Sequence, residues 1–247
     1  MAECFTFPVE RVRSVNRRAQ EAARCDGSDS ARGGVLDPTP VLESFGCLRS
    51  KPGWKLLAYV LGDRLGGESR VVAVPAEFDP ESAVLESVTG RPPDDDRPYV
   101  DDGPWGRVLQ LPPVARRRFM TAVEGDGSPW SLLCASLAVR VLLDFGAWWH
   151  ALYAHDWSQH VILARAAPPR SQIEVPAWQF EGEVPDVSRP AVWVGAATSS
   201  VRFYTYRPPW ANSEGVWMHE DMYERDCYDP KMSREEIATG RAPTILF

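Results

Sequence analysis

Between positions 129 and 145 apolar residues fall on nearly every face of the helix they would form, and only Arg140 and Asp144 carry charge. The ends of the run are marked. Ser128 offers a side-chain oxygen to the first free backbone N–H groups, and Pro129 suits the first helical position, where no N–H is needed. Gly146 can take the left-handed conformation that closes a last turn. A helix apolar all round is buried on most sides. At about sixteen residues, interrupted by Ser131, Ser136, Arg140 and Asp144, it is too short and too polar to span a bilayer. The pattern predicts a largely buried helix at about 129–145, wrapped by sheet.

Shorter runs carry strand signals. Residues 54–61 and 70–74 are β-prone on both faces and joined by the Gly-rich 62–69, which predicts a hairpin inside a sheet covered on both sides. Gly62, Gly66 and Gly67 lack the Gly-Lys-Ser/Thr of a phosphate loop and read as turn chemistry. Residues 192–194 and 201–206 flank a second turn, and 216–223 alternates well enough for another strand. Strands are also expected at 148–154, 160–164 and near 178–180, with a turn at 156–158. Residues 1–20 read as a short strand running into a helix. Further helices are expected at 80–88, opened by Asp79, and at 111–123, displaying Arg116, Arg117 and Arg118. Ser233 stands three residues before Glu236, a capping signal for one helical turn, and 244–247 could add an edge strand. Residues 25–40 are rich in Gly, Ser and Asp and read as a mobile loop. Residues 91–104 read as an exposed, acidic, proline-rich loop. Strands grouped around one or two helices, with no βαβ alternation, predict a single α+β domain over 1–247 with mostly antiparallel sheet.

Composition narrows the function classes. The net charge of −7 argues against bulk affinity for nucleic acid or anionic lipid, because both depend on summed positive charge. Arg116–Arg118 reads as a solvated face. The five cysteines are widely spaced with no C-x-x-C, which fits neither a disulfide framework nor a zinc site. No basic segment followed by an apolar run opens the chain. A cytoplasmic protein is the expectation.

Three of the four histidines, His150, His155 and His160, fall within eleven residues. Their spacing of five puts them on one face of neither a helix nor a strand. A divalent-metal site would need a turn near Asp156 to fold two of them together, with His219, Glu220 or Cys134 completing the set. The plainer reading is hydrogen-bonded histidines among tryptophans, with no cofactor. Cys134 followed by His150 or His160 has the order of a thiol nucleophile and its base. However, Cys134 lies six residues past Ser128, where the helix dipole has faded. His219, Glu220 and Asp221 gather a base and two acids on one strand. Asp94, Asp95, Asp96, Asp101 and Asp102, with the loop tryptophans Trp105 and Trp210, could form a surface for a partner protein, since aromatics dominate binding hot spots. Two functions follow. The first is a partner-binding protein of inhibitor, immunity or accessory-subunit type. The alternative is a hydrolase built on the histidines or on Cys134.

Overall fold

The first hairpin forms as its two-faced apolar pattern requires. In the computed structural model β4 (Trp54–Asp63) and β5 (Gly66–Pro75) pair antiparallel in register from Trp54↔Pro75 to Asp63↔Gly66. Leu56, Ala58, Val71 and Ala73 face the main core, while Leu57, Tyr59, Val72 and Val74 face a second, smaller one. The residues described are 2–24, 34–63, 66–79, 87–89, 99–101, 107–110, 114–146, 148–149, 157–164, 179–180, 189–210 and 213–241.

The class is α+β, and every strand pairing among these residues is antiparallel. β1 (Glu3–Thr6) leads into α1 (Val9–Ala22). β2 (Gly34–Leu36) pairs with β4, and α2 (Thr39–Phe45) ends at Gly46, whose φ is +72°. β3 (Leu48–Ser50) pairs with β9 (Val123–Gly125), and β6 (Ser87–Thr89) and β7 (Tyr99–Asp101) flank β8 (Arg107–Gln110). Then comes α3 (Pro129–Leu143), followed by β10 (Trp148–Trp149), which pairs with β5. The rest is β11 (Val161–Ile162), β12 (Gln179–Phe180), β13 (Ala191–Val194), β14 (Thr198–Trp210), β15 (Ser213–Glu224) and β16 (Lys231–Arg241). These make a seven-stranded sheet in the order β1-β13-β14-β15-β16-β12, with β11 paired to β14.

α3 packs against β13 and β14 of this sheet and against α1, α2 and β5. Ser128 Oγ accepts the Ser131 N–H at 3.2 Å, and Gly146 has φ of +70°. Leu133, Leu137 and Leu142 are fully buried, each contributing about 1.5–3 kcal/mol by leaving water. Val192, Val201, Phe203 and Tyr223 meet the helix from the inner face of the sheet.

Several expected elements differ. Residues 34–40 are not loop, because β4 recruits 34–36 as a strand and α2 begins at Thr39. Residues 25–33 lie outside the described set. The expected helix at 80–88 is contradicted at its end, where Ser87 and Val88 pair with β8; 80–86 lie outside. The acidic stretch is interrupted by strand β7, since Tyr99 and Val100 are β-prone and β8 provides a partner. Residues 114–123 do not form a helix displaying three arginines. The backbone of Arg116 bridges Ala73 on β5, and only one 3-10 turn, Phe119–Ala122, follows. The capping signal at Ser233 is overridden: Ser233 lies in β16, and its hydroxyl donates across the ladder to the Glu220 carbonyl at 2.8 Å. A cap contributes only about 1 kcal/mol, against a ladder running from Met222↔Lys231 to Ser213↔Arg241. Of the strand expected at 148–154, Trp148–Trp149 is described. The 156–158 turn appears as a 3-10 turn at Trp157–Gln159, and the edge strand expected at 244–247 lies outside. Among the described residues no helix is long and apolar enough to cross a membrane.

Candidate functional site

The inner face of the large sheet changes character along its strands. Alternation places Val201, Phe203 and Thr205 of β14 on that face, opposite Asp221, His219 and Trp217 of β15. β16 adds Met232 opposite Asp221 and Arg234 opposite His219. Val201 and Phe203 lie in the main core. Beyond them, towards β16, the face is polar and opens into a cleft of about 250 Å³ lined by Arg140, Leu143, Trp157, His219, Met232, Ser233 and Arg234.

The floor of the cleft is a buried hydrogen-bonded network. Arg140 of α3 meets Asp221 in a two-pronged ion pair, at 2.6 Å and 2.8 Å. The same guanidinium donates to the Ser136 carbonyl and lies over the Phe203 and Trp157 rings. Asp221 is fully buried and Arg140 is 8% exposed, so each finds its compensation in the other rather than in water. Thr205 Oγ1 sits between two imidazoles, 2.8 Å from His160 Nδ1 and 2.9 Å from His219 Nε2. His219 stacks on Phe203 and His160 stacks on Trp157. α1 holds the 157–162 segment in place: Asn16 Oδ1 accepts the Trp157 indole N–H, and Arg13 donates to the Ile162 carbonyl.

Burial, then the Arg140, His160 and Arg234 charges, hold His219 well below the usual histidine pKa, so it stands as a neutral imidazole. Its Nδ1 is buried and has no hydrogen-bond partner. Buried polar atoms are nearly always bonded, and Trp217 Nε1 on the same sheet face is likewise buried without a partner.

Of the residues singled out from sequence, the structure brings His160 and His219 together through Thr205. Cys134 is elsewhere, fully buried in α3 and hydrogen-bonded to the Cys47 thiol. Burial, followed by that bond, raises its pKa far above the ordinary thiol range. Asp144 accepts the Ser158 N–H. Asp101 ends β7 and Trp210 ends β14. His150, His155, Asp94, Asp95, Asp96, Asp102 and Trp105 lie outside the described residues. Among the described residues no three His, Cys, Asp or Glu side chains converge on a point that could hold a metal ion. His160 and His219 meet a hydroxyl instead. Arg118 pairs with Asp229, and Arg116 lies over the Trp54 ring.

Sequence reasoning missed Arg140, Trp157, Thr205 and Arg234 as parts of one site. Two signals could have found them: a lone arginine in an apolar helix, and the polar inward positions 205, 219 and 221 beside the apolar inward positions 201 and 203. The chain matches no protein-family model, and no curated protein or solved structure proves similar to it.

Proposed function

We propose that this chain is a binding protein for a small molecule, with its site in the cleft between Arg140, Trp157, His219 and Arg234. The orphaned His219 Nδ1 carries the proposal, because a bound molecule would supply the partner that the fold withholds. The residues around it support binding over catalysis. Arg140 is committed to Asp221, and the hydroxyl nearest the imidazoles, Thr205 Oγ1, is fully buried and held on both sides. A nucleophile must reach its substrate, and Thr205 is shielded beneath His219. Cys134 has Cys47 as its neighbour and a suppressed thiolate.

The test is thermal-shift screening with metabolite-sized compounds on the wild type and on Met232→Trp, which fills the cleft from an exposed position on the His219 face. Compounds should stabilise the wild type and lose their effect in the variant without being turned over. Hits unaffected by Met232→Trp would refute the assignment. A protein partner at the acidic stretch 91–104 is a second proposal, favoured by the net charge of −7 and by Asp101 at the end of β7. Neutralising Asp94, Asp95, Asp96, Asp101 and Asp102 together would abolish that interaction and leave ligand binding in the cleft intact.

A further inference from the structure

Away from the cleft, two thiols meet where α2 gives way to β3. α2 ends at Phe45, and Gly46 follows with φ of +72°, a left-handed turn that leaves Cys47 between the helix and the strand. β3 then pairs with β9 through Leu48↔Gly125. Continued by one residue, that antiparallel register sets Cys47 beside Asp126, just before the start of α3. Val41, Leu42 and Phe45 of α2 share the main core with Leu133, Cys134 and Leu137 of α3, and Cys47 packs against that core as a partly buried residue. The Cys134 thiol donates to the Cys47 sulfur. Both are free thiols, Cys134 fully buried and Cys47 half-buried.

The two sulfurs are unlike in the way that thiol oxidation requires. The bond from Cys134 favours the Cys47 thiolate, with a smaller contribution from the Arg11 guanidinium, against burial and the Asp126 carboxylate. Accessible cysteines with thiolate character beside a second thiol are those that hydroperoxides oxidise reversibly. From this arrangement we infer that Cys47 and Cys134 form a reversible oxidation site, at which a hydroperoxide oxidises Cys47 and Cys134 closes a disulfide. In the first step the Cys47 thiolate attacks a peroxide oxygen and the O–O bond breaks. Cys47 becomes a sulfenic acid, and the other oxygen leaves as water or an alcohol with one proton taken from solvent. In the second step the Cys134 sulfur attacks that of Cys47 and the S–O bond breaks. The hydroxyl leaves as water with the Cys134 proton, so the two thiols lose the electron pair that the peroxide gains. Burial, then the bond to Cys47 and its charge, hold Cys134 as a thiol. The charge vanishes once Cys47 is a neutral sulfenic acid, which orders the two steps. This site does not rest on the cleft being a ligand site.

The test exposes the native, fully reduced chain to hydrogen peroxide, then alkylates it and maps the products by non-reducing peptide mass spectrometry. A peptide pair linked through Cys47 and Cys134 should be the main product. Two of the five thiols should be lost, and dithiothreitol should restore both. The same treatment in urea should scatter the oxidation over the other cysteines. Cys134→Ala should abolish the link and leave several-fold more Cys47 sulfenic acid for dimedone to trap, while Cys47→Ser should leave Cys134 unoxidised. Should Cys134→Ala fail to fold, the wild-type link and its loss in urea still decide the matter. Oxidation first at Cys4 or Cys227, or Cys47 passing to the sulfinic acid without a link, would overturn the proposal. So would thiols that all survive the peroxide, or an equal yield of the link from the unfolded chain.

Discussion

Replacing Asp221 by Asn keeps the shape of the side chain but strands the guanidinium of Arg140. In the native protein the Asp221 side chain is 0% exposed and that of Arg140 9%. The two bonds of 2.6 Å and 2.8 Å provide the compensation that a buried arginine requires. Two unit charges 4 Å apart attract by about 4 kcal/mol at an effective dielectric constant of about 20. Removing one member of a buried pair costs about 3–5 kcal/mol, because the survivor is left desolvated. The bond from Arg140 to the Ser136 carbonyl survives the change, which favours the lower half of that range. Urea unfolding followed by far-UV circular dichroism measures the loss. With a slope of about 2 kcal/mol/M, the midpoint should fall by roughly 1.5–2 M. Arg140→Met combined with Asp221→Leu should recover most of the loss, since it removes both charges at similar volume. A cost below about 1 kcal/mol for Asp221→Asn, or a double variant costing the sum of the singles, would refute the reasoning.

Other consequences can be checked separately. The native pKa of His219 lies below its unfolded value of about 6.5, so on acidification the unfolded chain takes up a proton that the native state refuses. Stability should therefore fall as pH drops below about 6.5, by up to about 1.4 kcal/mol per pH unit. Midpoints at pH 7.5 and 5.5 should differ less in His219→Gln than in the wild type; equal differences would contradict the assignment. The bond from Cys134 lowers the Cys47 pKa while burial raises that of Cys134, so iodoacetamide should modify Cys47 in the native protein and spare Cys134. Peptide mass spectrometry reads this, and first modification at Cys134 would contradict it. A Cβ on Gly125 would lie 2.5 Å from Tyr228 Cζ and 2.6 Å from its hydroxyl oxygen. Gly125→Ala should displace that ring, break its bonds to Ser131 and Gly127, and cost about 1–3 kcal/mol by thermal unfolding; an unchanged melting temperature would show the ring free to move.

The elements legible in the sequence were those with two independent signals. α3 has Ser128 and Pro129 at one end and Gly146 at the other, and the β4–β5 hairpin has two β-prone runs around a glycine-rich turn. α2 carries Pro40 near its start and Gly46 after its end, the same punctuation, but its first two residues fell in the segment 25–40 whose composition read as loop, and the helix is only seven residues long. Ser233 and Glu236 spelled a helix start that pairing with β15 outweighed, because ladder formation depends on a partner that no local pattern encodes. The site followed the same logic. His160 and His219 were noticed as residue types, yet their meeting depends on Thr205 and on Trp157 being clamped by α1. Those contacts join positions 16, 157 and 205 and leave no periodic trace.

A crystal structure of the chain grown with a compound that stabilises it in the thermal-shift screen examines the cleft most directly. The compound should lie against Trp157 with a polar atom about 2.7–3.2 Å from His219 Nδ1. The compound bound elsewhere on the protein, with Nδ1 bonded to a protein atom, would contradict the account.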